Sequence, residues 1–297
     1  MILVTGGAGF IGRHVCSLLS QDGVDVLAVD RTPQASAAYE TATGDLTDSS
    51  FRTELFVRRP VDVVIHLASL LNTVSRQHPQ QALRVNVGVS LDMIDLAARA
   101  GVTRFVYGSS ISAYGTRRLA DCGRVSEAAL AAPTDVYGVT KRYVEIVGEA
   151  SHRERGFGFV ALRLPIVVGA GAGGTSSVWR GRLFERPETG GQGIVEIPFR
   201  SHELIPLVHV EEVAAMISRL ATAGQVPGTI YNAPSESWVC GDLAEYVRSL
   251  CPQLVVVCGQ ATVDGIPQAL DSRLFTQAFG FEALSLKERL RACHGHA

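Results

Sequence analysis

The chain has 297 residues, 46% of them hydrophobic, with 27 basic side chains against 29 acidic ones. That length suits one large or two modest domains with an ample core, and the balanced charge excludes an electrostatic footprint for nucleic acid or an anionic membrane. No apolar stretch is long enough to span a bilayer, and strand-like sequence starts at the initiator methionine, leaving no room for a signal or transit peptide; the expected compartment is the cytoplasm and the expected partners are small molecules.

Ile2-Leu3-Val4 runs as an apolar strand into Thr5-Gly6-Gly7-Ala8-Gly9-Phe10-Ile11-Gly12. Glycines three apart at a strand-to-helix turn form a phosphate cradle. Gly6 allows the tight turn, Gly9 lets backbone N–H groups approach a pyrophosphate, and Gly12 lets the helix pack on the strand. Phe10, Ile11, Val15, Leu18 and Leu19 then recur at helical spacing, and Asp22-Gly23 stops that helix. Val24 to Asp30 reads as a second strand ending on a carboxylate. An acidic group there accepts hydrogen bonds from an adenosine ribose diol and repels a 2′-phosphate, so Asp30 predicts NAD over NADP. Arg31 leaves the alternative open, since a guanidinium can pair with that phosphate or stack on adenine.

Further along, strands are expected at Val61 to His66, Arg104 to Tyr107 and Phe159 to Arg163, with helices near 49–58, 80–100 and 136–155. This alternation predicts an α/β fold, a doubly wound parallel Rossmann sheet covered by helices on both faces. Beyond Pro165 the texture changes. Gly169 to Gly174 opens a loop-rich region, followed by a strand at Leu204 to Val208, a helix near 211–222 and a helix-rich end. The expected division is a dinucleotide-binding domain over 1–165 and a smaller α/β substrate lobe over 166–297, with parts of 204–235 packing back on the first sheet. Cys16, Cys122, Cys240, Cys251, Cys258 and Cys293 include no C-x-x-C pair, and the histidines lack helical i, i+4 pairing, so reduced thiols and no catalytic metal are expected.

The chemistry concentrates at Tyr137-Gly138-Val139-Thr140-Lys141. Four residues apart on a helix, the phenol and the ammonium share a face. A free tyrosine is a poor base at neutral pH; a neighbouring ammonium and a bound oxidised nicotinamide both favour the phenolate, which can then take an alcohol proton as hydride leaves the same carbon. The preceding strand ends in Gly108-Ser109-Ser110, whose hydroxyls belong at the carboxyl edge of the sheet, where ligands bind in open α/β folds.

Thr5 to Gly12, Ser109-Ser110-Ile111-Ser112-Ala113-Tyr114-Gly115 and Tyr137-x-x-x-Lys141 together resemble the extended short-chain dehydrogenase/reductase family, of the NAD-dependent epimerase/dehydratase type. The likeness extends over Gly44-Asp45-Leu46, His66-Leu67-Ala68, Asn86-Val87 and Leu207 to Val210. It implies that Gly6, Gly9, Phe10, Ile11 and Gly12 hold the pyrophosphate, Asp30 the adenosine ribose and Asp45 with Leu46 the adenine. Leu67, Ala68 and Ser69 would line the cofactor beyond, with Asn86 and Pro165 also on its side, and Ser69 reaching the substrate. Lys141 would bind the nicotinamide ribose and lower the Tyr137 pKa, while Ser110 would hold the reacting oxygen, with Ser109 and Ser112 as competitors. On their own residues, Asp45 is equally a helix cap near Thr47, His66 a buried structural histidine, Asn86 a helix-interior hydrogen bonder, and Glu211 and Glu212 macrodipole partners.

Nucleotide-sugar members carry an asparagine three residues after the position of Arg163, and here Ile166 stands there. Thr175-Ser176-Ser177 followed by Trp179-Arg180 is instead similar to the substrate loop of members that oxidise small sugar acids of the erythronate type. Ser176, Ser177 and Arg180 suit a carboxylate with vicinal diols; ordinary loop serines and a solvated arginine are the plain alternative. The expectation is NAD-dependent hydride transfer from a secondary alcohol of a small sugar or sugar acid. A nucleotide-sugar epimerase or dehydratase that recycles NAD in place is the alternative, and a non-catalytic NAD-binding module the third. A homodimer formed through the helices near 80–100 and 136–155 is implied by the resemblance.

Overall fold

The computed structural model describes residues 1–34, 37–173, 177–187 and 191–295. Its strands, in chain order, are β1 (Ile2–Thr5), β2 (Val26–Asp30), β3 (Glu40–Thr43), β4 (Val63–His66), β5 (Arg104–Ser110), β6 (Phe159–Leu164), β7 (Ile166–Val168), β8 (Gly193–Phe199), β9 (Leu204–His209), β10 (Ile230–Asn232), β11 (Glu236–Val239) and β12 (Leu254–Ala261). One parallel sheet takes seven of them in the order β10-β6-β5-β4-β1-β2-β3. The chain winds outward from β1 to β3, returns to β4 and winds the other way. The crevice beyond the carboxyl ends of β1 and β4 is therefore the topological switch point where such sheets bind ligands.

Apolar residues on each side of this sheet set what covers it. On one face the helices Phe10–Gln21 and Val210–Thr222 bury Val15, Leu19, Val213, Ile217 and Leu220 in one cluster. On the other, Ser49–Val57, Ser90–Arg99 and Val136–Arg155 bury Leu55, Met93, Ile94 and Val144. Helix Val210–Thr222 and strand β10 thus belong to the large sheet although they follow residue 204. The sheets β11-β9-β7 and β12-β8 enclose a second core around Trp179, Leu183, Ile205, Leu207 and Leu243.

Several elements depart from expectation. Glu40-Thr41-Ala42-Thr43 has no apolar run, yet it pairs with β2 as an exposed edge strand, where one covered face is enough. The region after Pro165 expected to be loop-rich contains β7, β8 and part of the second core. The helix expected over 80–100 is broken into Pro79–Ala82, a π-helical turn over Leu83–Val89 and Ser90–Arg99. By contrast β5 ends at Ser110 as expected, and both serines are buried.

Candidate active site

The floor of the switch-point crevice is the glycine turn. Gly6 adopts φ +74°, and a Cβ there would lie 2.8 Å from the Ala68 nitrogen. A Cβ on Gly12 would sit 2.0 Å from the Gly6 carbonyl oxygen, so only glycine lets the helix start this close to the strand. Phe10 and Ile11 begin that helix and pack against the core behind the turn.

On one wall, the Asp30 carboxylate at the tip of β2 accepts hydrogen bonds from the Ala8 nitrogen at 3.2 Å and the Thr32 nitrogen at 3.0 Å. Arg31 beside it is exposed. Asp45 accepts from the Thr47 nitrogen at 2.8 Å, and that bond holds its carboxyl below the usual range. The helix-cap alternative for Asp45 falls to Asp48, which accepts from the Ser50 nitrogen at 2.8 Å and precedes Ser49–Val57. Asp45 and Leu46 line the crevice with Asp30 and Arg31, facing Leu67, Ala68 and Ser69 across it. Val85 and Val89 of the π-helical segment complete the apolar lining; the sequence reading passed over both, because neither belongs to a motif. Backbone N–H groups at a glycine turn, a carboxylate at the β2 tip and an apolar slot beyond fit a dinucleotide.

Asn86 is spent on the backbone. Its amide accepts from the Leu70 nitrogen at 2.7 Å and donates to the Leu70 carbonyl at 2.9 Å and the Thr140 hydroxyl at 3.3 Å, tying the Leu67–Leu70 loop to the helix of Tyr137. His66 is enclosed between Thr5 at 2.7 Å and Ser90 at 3.0 Å; burial pulls it down to about 3, so it is a neutral internal brace.

Asp135 caps helix Val136–Arg155, accepting from the Gly138 nitrogen at 2.7 Å, and presents Tyr137 in the first turn. Burial pushes the phenol up to about 12, outweighing the neighbouring Ser110 and Ser69 hydroxyls, which favour its ionised form. Lys141, one turn on, is buried; its Nζ donates to the Gly108 carbonyl at 2.7 Å and lies 5.5 Å from the Tyr137 ring centre. Burial lowers it to about 7. Of the competing serines, Ser109 donates to Glu145 at 2.6 Å and points away, while Ser112 lies 3.3 Å from the Ser110 hydroxyl.

The segment after β7 closes the opposite side. Arg180, in helix Trp179–Arg182, lies near enough to Tyr137 for its charge to favour the phenolate, and its buried Nε has no hydrogen-bond partner among the described residues. Ser177 is buried and donates to the Gly173 carbonyl at 3.1 Å. Ser176 lies outside the described residues. Pro165, buried between β6 and β7, and Ile166 at the start of β7 stand at the carboxyl edge of the large sheet, and Ile166 belongs to the second core.

A glycine-turn crevice at the switch point of a parallel sheet, with Ser110, Tyr137 and Lys141 at the same edge, defines a Rossmann protein of the dinucleotide-binding class. A family profile, the NAD dependent epimerase/dehydratase family, matches residues 2–233. The chain belongs to that family and is an NAD-dependent enzyme of it. Among curated relatives, a UDP-glucose 4-epimerase of Erwinia amylovora is 34% identical over 183 residues, which is 57% of this chain and 54% of the epimerase. The match thus spans about half the length of that relative. A mitochondrial L-threonine 3-dehydrogenase of Bos taurus is 24% identical over 295 residues, 95% of this chain and 78% of the dehydrogenase. Among solved structures, MoeE5 in complex with UDP-glucose and NAD superposes with a TM-score of 0.82 at 29% identity, over 99% of this chain and 96% of that one. The GalE-like L-threonine dehydrogenase of Cupriavidus necator gives 0.88 at 21% identity, over 100% and 99%, which is a likeness of fold.

Proposed function

We propose that the protein oxidises a secondary alcohol of a small sugar acid or similar hydroxy acid, with NAD as acceptor. The observation that carries this reading is the Arg180 guanidinium, with its unpartnered buried Nε, beside a phenol that also meets Ser110 and Ser69. A half-buried guanidinium whose Nε has no hydrogen-bond partner among the described residues favours a ligand that brings a carboxylate. When bound, NAD accepts the hydride; Asp30 would hold its adenosine ribose, the turn from Gly6 to Gly12 its pyrophosphate, and Lys141 its nicotinamide ribose. Ser110 donates to the carbinol oxygen and orients it. Tyr137 takes the hydroxyl proton as the C–H bond breaks, so the alcohol becomes a ketone, with NADH and a proton as the other products. Burial holds the phenol up at about 12 in the free protein, and the positive pyridinium ring of a bound NAD would favour the phenolate.

The second reading, a nucleotide-sugar epimerase, is favoured by the likeness to the Erwinia amylovora epimerase and to MoeE5. Ile166 counts against it, because its side chain cannot donate a hydrogen bond to a sugar diphosphate. Incubation with NAD and a panel of aldonates, uronates, hydroxy amino acids and UDP-sugars separates the two. The sugar-acid reading expects stoichiometric NADH from a nucleotide-free acid, with an Arg180→Met variant raising KM for that acid about 10- to 100-fold. Isomerised UDP-sugar without free NADH overturns it, and silence with tight NAD binding indicates a module without turnover.

We also propose that the protein works as a homodimer. Val139 and Tyr143, each 51% exposed, and Ile146, 49% exposed, follow one another along one face of helix Val136–Arg155. An apolar stripe at this spacing suits packing against the same helix of a second copy.

A further inference from the structure

Three turns of helix Val136–Arg155 grip three successive residues of β5. Tyr137 lies beside Ser110, Lys141 donates to the Gly108 carbonyl at 2.7 Å, and Glu145 accepts from the Ser109 hydroxyl at 2.6 Å. Glu145 is fully buried, and from β6 Arg163 donates to it twice, Nε to one oxygen at 2.8 Å and Nη2 to the other at 2.6 Å. Arg163 pairs in register with Ser109, so the carboxylate stitches helix, β5 and β6 together just below the reacting groups. Its guanidinium also lies over the Tyr114 ring at 4.3 Å.

We propose that Glu145 is a positioning residue for the reaction: its carboxylate fixes the register of the tyrosine helix on β5 and sets the electrostatic surroundings of Lys141 from one turn away. The proposal rests on the reading of Tyr137 as the proton acceptor. A helix that slid along β5 would move Tyr137 away from Ser110, and the Glu145–Ser109 bond opposes this together with the Lys141–Gly108 bond. Burial lowers the Lys141 ammonium, and Glu145 is the charge that pushes it back up. The other groups around the pair are Arg142 and Glu149 on the same helix, Tyr107 on β5, Arg163 on β6 and neutral His66 on β4. Arg142 donates to Glu145 at 3.1 Å from the half-exposed side, and Arg163 balances the carboxylate from the other. Among the described residues, Glu145 is the anion that acts on Lys141.

The test is an ultraviolet titration of tyrosinate in NAD-saturated protein, with Tyr137→Phe subtracted so that only residue 137 is followed. In Glu145→Gln the Tyr137 ionisation should move up by about one pH unit, roughly tenfold less phenolate at a given pH, while the Kd for NAD stays within about twofold of wild type. Because that variant leaves the Arg163 guanidinium unpaired, the double variant Glu145→Gln, Arg163→Met is measured beside it. The proposal expects the double variant to recover thermal stability and keep the displaced titration. A single-variant titration superimposed on wild type, or one restored by Arg163→Met, would reduce Glu145 to a fold-holding role and overturn the proposal. If wild type and Tyr137→Phe give the same spectrum throughout, the Tyr137 reading and this proposal fall together; a normal Tyr137 signal indifferent to Glu145 overturns this proposal alone.

Discussion

Lys141 holds its charge where a charge is costly. It is 3% exposed, with a backbone carbonyl for its hydrogen bond and aromatic rings on two sides, and burial has drawn it from 10.5 down to about 7. Between about pH 7 and the ordinary lysine value the unfolded chain binds a proton that the folded chain does not, so stability rises with pH across that window. The lysine's share of the rise is at most ~4 kcal/mol by pH 10, at about 1.36 kcal/mol per unit. Urea unfolding at pH 7 and about pH 10 should therefore show a larger gain in wild type than in Lys141→Met, by a few kcal/mol; parallel pH dependences in the two proteins would contradict the buried, half-charged lysine. This also states what the free enzyme lacks. With the phenol near 12 and the ammonium near 7, the pair is poised for a bound cation to complete it.

Two elements bring the site together, the glycine turn into the first helix and the capped start of the tyrosine helix. Gly12→Ala places a methyl 2.0 Å from the Gly6 carbonyl, which the backbone can relieve only by opening the turn. We expect a loss of about 1–3 kcal/mol in urea denaturation together with weaker NAD binding by calorimetry; a variant binding NAD as tightly as wild type would show that the turn is not the cradle. At this scale much was legible beforehand. The glycine spacing, Asp30 at the end of a strand and the Tyr-x-x-x-Lys pair are each encoded within a few neighbouring residues, so pattern and period suffice. What was missed depends on pairing across the fold. Glu40–Thr43 is a strand only because β2 is beside it, Val85 and Val89 line the crevice from a π-helical segment that no sequence motif marks, and the Ser109–Glu145–Arg163 group joins residues far apart in sequence. Asp45 and Asp48 were separable only once their backbone partners were visible.

At the scale of the molecule, the switch point of the large parallel sheet is the proposed cofactor site, and the segment that carries Arg180 packs in the second core through Trp179 and Leu183. Among the described residues no helix is long and apolar enough to cross a membrane. The exposed Val139, Tyr143 and Ile146 face is the largest-scale feature still to be tested. Sedimentation should find a dimer for wild type and a monomer for Tyr143→Asp with Ile146→Asp, and a monomeric wild type at micromolar concentration would refute the homodimer. Sequence pattern could hint at this face only by resemblance, since a stripe on a helix is core or interface depending on what the fold leaves uncovered. All of these scales converge on one oxygen atom, the phenol of Tyr137. With the substrate that yields NADH, the decisive measurement is kcat for Tyr137→Phe alongside its Kd for NAD: the account predicts a fall of at least ~100-fold in kcat with little change in NAD affinity, and a variant turning over within a few-fold of wild type would contradict it.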